Sequence, residues 1–154
     1  YDFLRYEDGL THTGDGAENE DYHCFAKPIL VPAAGKVVVA VDGVEDNVPG
    51  KMNPAQAAGN HVILDHGNGE FSLLAHFKKG SLKAKPGDEL AAGQLLGLCG
   101  NSGNSSEPHL HYHLQTTGVF GKGDGLPMQF VDYQADGKAI ARGEPTKGQR
   151  ISRP

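Results

Sequence analysis

Three histidines fall within five residues, His109, His111 and His113, in the stretch Glu107-Pro108-His109-Leu110-His111-Tyr112-His113-Leu114. Alternate residues of a strand share a face and stand about 6.6 Å apart along the chain. An extended conformation here therefore sets three imidazoles in a row, with Leu110, Tyr112 and Leu114 turned to the opposite, apolar side. Imidazole is the commonest protein metal ligand, and a rigid strand suits Zn–N bonds of about 2.0–2.1 Å. The row is a candidate for holding a divalent ion and for moving protons beside it.

A second pair of histidines comes together by counting back from a turn. The stretches Asn60 to His66 and Glu70 to Phe77 flank Asn68-Gly69, a strong signal for a two-residue hairpin. Centring the hairpin there pairs His66 with Phe71 and, further out, sets His61 opposite His76, with Cβ atoms about 4.5–5.5 Å apart. His61 is then expected to orient His76. His12 and His23 read as surface histidines in or beside a polar loop.

The elements that must position these side chains are short strands. Among 154 residues there are 22 glycines and 9 prolines, which break the apolar runs into the pieces of a turn-rich β fold. Lys27 to Gly35 enters and leaves a strand, and Lys36 to Asp42 is a valine-rich one. Gly80 to Gly93 reads as a hairpin-like unit with turns at Lys85-Pro86-Gly87-Asp88 and Ala91-Ala92-Gly93-Gln94. Leu95 to Gly100 reads as a buried strand whose glycine lets something pack close. Asn101 to Ser106 is then a small-residue loop that delivers the histidine strand and can line a groove with backbone N–H groups. The polar stretches Gly9 to Tyr22 and Gly43 to Gly59 are long for connections and are expected to wall a site. Asp132 to Pro154 carries few apolar residues and reads as a peripheral strand or tail. One domain spanning 1–154 accounts for the whole, an all-β sandwich or half-barrel with long loops around a groove.

Several function classes drop out. Charged residues make up 21% of the chain, the net charge is −5, and no Lys/Arg stripe exists, which excludes a nucleic-acid surface. The longest apolar runs, such as Val37 to Val41, are far too short for a membrane-spanning segment. No P-loop, dinucleotide-binding glycines or GxSxG motif is present. Cys24 and Cys99 are compatible with a disulfide in an exported protein or with two buried thiols.

Taken together, the segments resemble the zinc peptidases typified by lysostaphin and LytM, which cleave peptide bonds of bacterial peptidoglycan. The resemblance rests on Pro32-Ala33-Ala34-Gly35-Lys36-Val37, Val62 to Gly69, Leu74-Ala75-His76-Phe77, Gly87-Asp88 with Ala92-Gly93-Gln94, Gly97 to Ser105, and Pro108-His109-Leu110-His111. It is best over 28–115. The family pattern implies Zn2+ held by a His-x-x-x-Asp pair and by the second histidine of His-x-His, with water in the remaining place. Carried onto this chain, Asp2 and His111 are metal ligands, while His76 and His109 flank the water and the developing oxyanion. The partner histidine of Asp2 belongs four residues earlier, so the resemblance implies an N-terminally truncated domain. His113 departs from the pattern, which more often places an acceptor side chain there; with His61 it is expected to support the site or touch substrate. Such an open site suits catalytic zinc, which lowers the pKa of its water toward about 7. Peptidoglycan peptides are the implied partners, and with them an extracellular, periplasmic or cell-surface location.

Other readings use the same residues. A domain of this fold that binds wall peptides or a partner enzyme without turnover would keep the groove and lose the metal. The glycine-punctuated strands also resemble biotinyl or lipoyl carriers, for which Lys51-Met52 offers half of the expected tip, and phosphocarriers, which would use facing histidines.

Overall fold

Valine-rich and alternating stretches form the strands, and the glycine-marked stretches form the turns between them. The computed structural model describes residues 1–154 and contains twelve strands. They are β1 (Asp2–Phe3), β2 (Pro28–Leu30), β3 (Gly35–Val41), β4 (Asn60–Asp65), β5 (Phe71–Phe77), β6 (Glu89–Leu90), β7 (Leu95–Leu98), β8 (Leu110–Gln115), β9 (Gly125–Leu126), β10 (Phe130–Ala135), β11 (Lys138–Gly143) and β12 (Ile151–Ser152). The only helical pieces are two three-residue 3-10 turns, Asn19–Asp21 and Pro54–Gln56. The fold is all-β, antiparallel and open, as the sequence predicts.

The main sheet runs β1-β8-β5-β4-β3-β6, with β9 pairing the far end of β8. Its two faces are both covered, unequally. On one face Val37, Val62, Leu64, Leu74, Leu96, Phe77 and Tyr112 form the larger core, and Leu110 and Leu114 pack onto it. Burying each such side chain contributes about 1.5–3 kcal/mol. On the other face Ala58, Ile63, Leu73 and Ala75 form a smaller cluster with Val39 and Phe71. Along β8 the alternation holds, so His111 and His113 share the second face. Cys24 and Cys99 are free thiols buried in the larger core.

Three expectations need correction. The β4–β5 hairpin is one residue out of the predicted register: Asp65 pairs with Phe71 and His61 with Ala75, not with His76. The cause is the turn. Asp65 Oδ1 accepts the Gly67 N–H (2.8 Å), and Gly67, Asn68 and Gly69 all take positive φ. That makes a three-residue loop closed by His66 and Glu70, whose N–H···O distance is 2.9 Å. Second, residues 132–154 are more than a strand or tail. They belong to a three-stranded sheet ordered β11-β10-β12, with Asp136-Gly137 as the two-residue turn between Ala135 and Lys138. Third, Gly80 to Gly93 makes no hairpin of its own; its only strand, β6, pairs with β3.

Candidate active site

The register of β8 gathers the site from distant parts of the chain. Asp2 of β1 lies opposite His111 on one side, and Ala75 of β5 lies opposite it on the other. Directly opposed residues share a face, so the Asp2 carboxylate and the His111 ring meet. Asp2 Oδ1 is 2.7 Å from His111 Nδ1 and 3.5 Å from His109 Nε2. The neighbouring His109 ring, and after it the His111 ring, hold the Asp2 carboxyl far below the usual carboxylate range.

His76 reaches the same place by a different device. Opposite Asn60 and His61 the β5 strand slips by one residue, since Asn60 pairs with Phe77 and His61 with Ala75. His76 is the extra residue of this bulge and adopts φ +67°. Bulges re-aim a side chain out of the ladder's alternation. The ring stands 4.7 Å from that of His109 and 5.9 Å from that of His111, centre to centre. Its Nδ1 donates to the Ser102 carbonyl at 2.8 Å. Burial, followed by the neighbouring charge on His109, pushes its pKa down to about 4. His76 is therefore a neutral base at pH 7.

His109 is pinned likewise, Nδ1 lying 2.8 Å from the Glu107 carbonyl. Burial opposes its charged form, but the Asp2 carboxylate and the Glu107 carbonyl outweigh that and raise its pKa. With Nδ1–H committed to backbone on both rings, the neutral forms of His76 and His109 each leave Nε2 bare and able to accept a proton. The remaining members of the row form a chain: His111 Nε2 to His113 Nδ1 (2.8 Å), then His113 Nε2 to Gln115 Oε1 (2.9 Å). His61 does not orient His76. Its Nδ1 lies 2.8 Å from the Gly59 carbonyl and its ring is beside Phe120, 6.0 Å centre to centre.

An open cavity of about 400 Å3 lies over Asp2, His76, His109 and His111, walled by Met52, Ala57, Asn104, Ser106 and Phe120. The expected groove loops contribute unequally. Gly43 to Gly59 supplies Met52 and Ala57, whereas Gly9 to Tyr22 supplies no lining residue and instead braces Glu107 through the Thr11 hydroxyl (2.9 Å). The 101–106 loop supplies Asn104 and Ser106 and is held by the Asn47 side-chain amide, which donates to the carbonyls of Gly103 (2.7 Å) and Ser105 (2.9 Å). Asn60, fully buried, receives the N–H groups of Gly43 and Val44 on Oδ1 and donates to the carbonyls of Val44 and Phe77. Gly103 packs so closely on Gly59 that a Cβ there would lie 2.4 Å from its nitrogen. Asn60 and Phe120 were not singled out from sequence. An asparagine opening a strand and an aromatic inside the glycine-rich 118–125 turn are the signals that point to them.

A carboxylate oxygen and an imidazole nitrogen side by side on a cavity floor fit zinc in kind. They do not complete a site, because no three His, Cys, Asp or Glu side chains of residues 1–154 come together in metal-binding geometry.

Comparison with known proteins identifies relatives. Residues 20–122 match Peptidase family M23. Peptidoglycan DD-endopeptidase ShyA of Vibrio cholerae is 38% identical over 94 residues, 61% of this chain and 20% of ShyA. Lysostaphin of Staphylococcus staphylolyticus is 29% identical over 120 residues, 77% of this chain and 22% of lysostaphin. The chain thus spans about a fifth of the length of these two relatives. In fold it is similar to the catalytic domain of lysostaphin from Staphylococcus simulans, with TM-score 0.50 and 22% identity over 81% of this chain and 85% of that domain.

Proposed function

Because this chain belongs to peptidase family M23, with His76, His109 and His111 inside the matched residues, we propose that it is a zinc-dependent endopeptidase acting on the stem or cross-bridge peptides of peptidoglycan. The convergence of Asp2, His76, His109 and His111 on the floor of one cavity carries the reading. Asp2 and His111 would hold the ion. Zinc, when bound, supplies a Lewis acid that acidifies water and polarises a carbonyl.

The chain's own side chains supply the rest. His109 and His76 present Nε2 toward the cavity, so either can take a proton from an attacking water and later return it to the leaving amine. His76, neutral at pH 7, gives up a proton more readily than an ordinary imidazolium once protonated. The same Nε2–H then donates to the oxyanion of the tetrahedral intermediate. Their backbone tethers fix both rings before substrate arrives, which removes reorientation from the barrier. Phe120, Met52 and Ala57 give the cavity an apolar side against which a peptide segment would rest, with His61 beside Phe120 at its edge. Action on cell-wall peptides places the protein outside the cytoplasm.

One observation favours a second reading, a domain that binds wall peptides without cleaving them: residues 1–154 alone assemble no complete metal site. Zinc uptake and hydrolysis of purified peptidoglycan separate the two. The enzyme takes up zinc in a one-to-one ratio and releases new amino termini. Asp2→Ala and His111→Ala lose the metal and the activity together, whereas His76→Ala and His109→Ala keep zinc and lose turnover. Sacculi bound tightly but left intact by a zinc-free protein would establish the second reading instead.

A further inference from the structure

We propose that Gln115 and His113 are positioning residues that fix the tautomer of His111, so that its Nδ1 lone pair faces Asp2. This rests on the reading of Asp2 and His111 as metal ligands and extends it to two residues that touch no metal.

The direction of the relay is set at its far end. Gln115 is buried, and its Nε2 faces two carbonyls, Thr117 at 2.6 Å and Val119 at 3.4 Å. Turning the amide over would set an oxygen against both carbonyls, so the nitrogen belongs there and Oε1 faces His113. An amide oxygen only accepts. His113 Nε2, 2.9 Å away, must therefore carry the hydrogen. A neutral imidazole has one N–H, which leaves His113 Nδ1 bare and facing His111 Nε2 at 2.8 Å. His111 then donates from Nε2, and its Nδ1 lone pair lies 2.7 Å from Asp2 Oδ1. Two acceptors at that distance repel each other unless a cation, a proton or a metal ion, lies between them. A metal-bound histidine is commonly oriented through its second nitrogen by such a partner. Here the partner is a histidine, which could present either nitrogen state, and Gln115 decides which.

The test uses the full chain labelled with 15N. Long-range 1H–15N spectra report which ring nitrogen carries hydrogen, and competition with a chromophoric chelator reports zinc affinity. Wild-type His113 is expected as the Nε2–H tautomer. Gln115→Met, which removes the acceptor, loses that preference and weakens zinc binding about tenfold or more. Should substitution at Gln115 prevent folding, the same comparison is made at His113: His113→Gln can accept from His111 and retains zinc, whereas His113→Leu cannot and loses affinity. Hydrogen on Nδ1 of wild-type His113, or wild-type zinc affinity in folded Gln115→Met or His113→Leu, overturns the proposal. If the wild-type protein takes up no zinc, the metallopeptidase reading falls while the His113 tautomer still decides the relay.

Discussion

His76 combines a ring buried among other histidines with a backbone that histidine seldom adopts. A left-handed residue other than glycine costs about 1–2 kcal/mol, with asparagine among the most tolerant and β-branched residues among the least. Both His76→Asn and His76→Val should abolish peptide hydrolysis. The valine protein should unfold at lower denaturant, by about 1–2 kcal/mol more than the asparagine protein; equal midpoints would show that φ +67° carries no strain. Burial of the same ring has a pH consequence. The folded pKa is about 4 against an ordinary 6.5, so between those values the unfolded chain binds more protons and stability falls as pH falls. The contribution is intact above about 6.5 and lost by about pH 4, a change on the order of 3 kcal/mol. Urea titrations of the zinc-free wild type and His76→Gln should converge with acidification across that window; parallel curves would refute the effect. At this scale the imidazole row was legible, because side chains of period two identify a face. Asp2 was legible only through a family resemblance, since one aspartate near a chain end has no signature of its own. The Ser102 carbonyl that holds His76 was not legible at all, because any residue has a carbonyl and only the fold says where it points.

The elements that bring these residues together are joined at points too tight for a side chain. Gly100 follows β7 and leads into the 101–106 loop, and a Cβ on it would lie 2.2 Å from the Lys78 nitrogen and 2.5 Å from the Phe77 carbonyl carbon. Gly100→Ala must push β5 and β7 apart just where β5 carries His76. It should cost about 1–3 kcal/mol, with faster amide exchange at Lys78, whose N–H bonds Leu98, and at Gly100, whose N–H bonds His76. Unchanged exchange at both would show that the loop absorbs the methyl. Strand existence was legible here; register was not. Asn68-Gly69 predicts a turn, but Gly67 and Asp65 extend it by one residue, and a slip of one transfers every side chain to the other face. The bulge at His76 restores the count locally, which no pattern of period two can reveal. Asp136-Gly137 was as strong a hairpin signal as Asn68-Gly69, yet the sparse apolar residues around it concealed a genuine sheet.

Across the whole molecule β1 and the β11-β10-β12 sheet depend on each other. β1, which bears Asp2, is a two-residue edge strand, and what secures it beyond the ladder is aromatic. Phe130 of β10 lies edge-on to Tyr1, Phe3 and Tyr112, at 6.3, 5.8 and 6.1 Å between ring centres. Tyr112 forms the reverse side of the histidine strand, so the C-terminal sheet, beyond the matched residues 20–122, buttresses the site from behind. Phe130→Ala should cost about 2–3 kcal/mol and weaken zinc binding, because Asp2 is no longer held beside His111. Chelator competition alongside denaturation checks both, and unaltered zinc affinity would confine Phe130 to stability. The pairing of Asp2 with His111 spans 109 positions, and its aromatic support arrives later still. During synthesis, then, Asp2 must wait for His111 and, later, for Phe130 before its carboxylate is both paired and backed. Under the peptidase reading, the site is therefore inert for as long as β8 and Phe130 remain unmade.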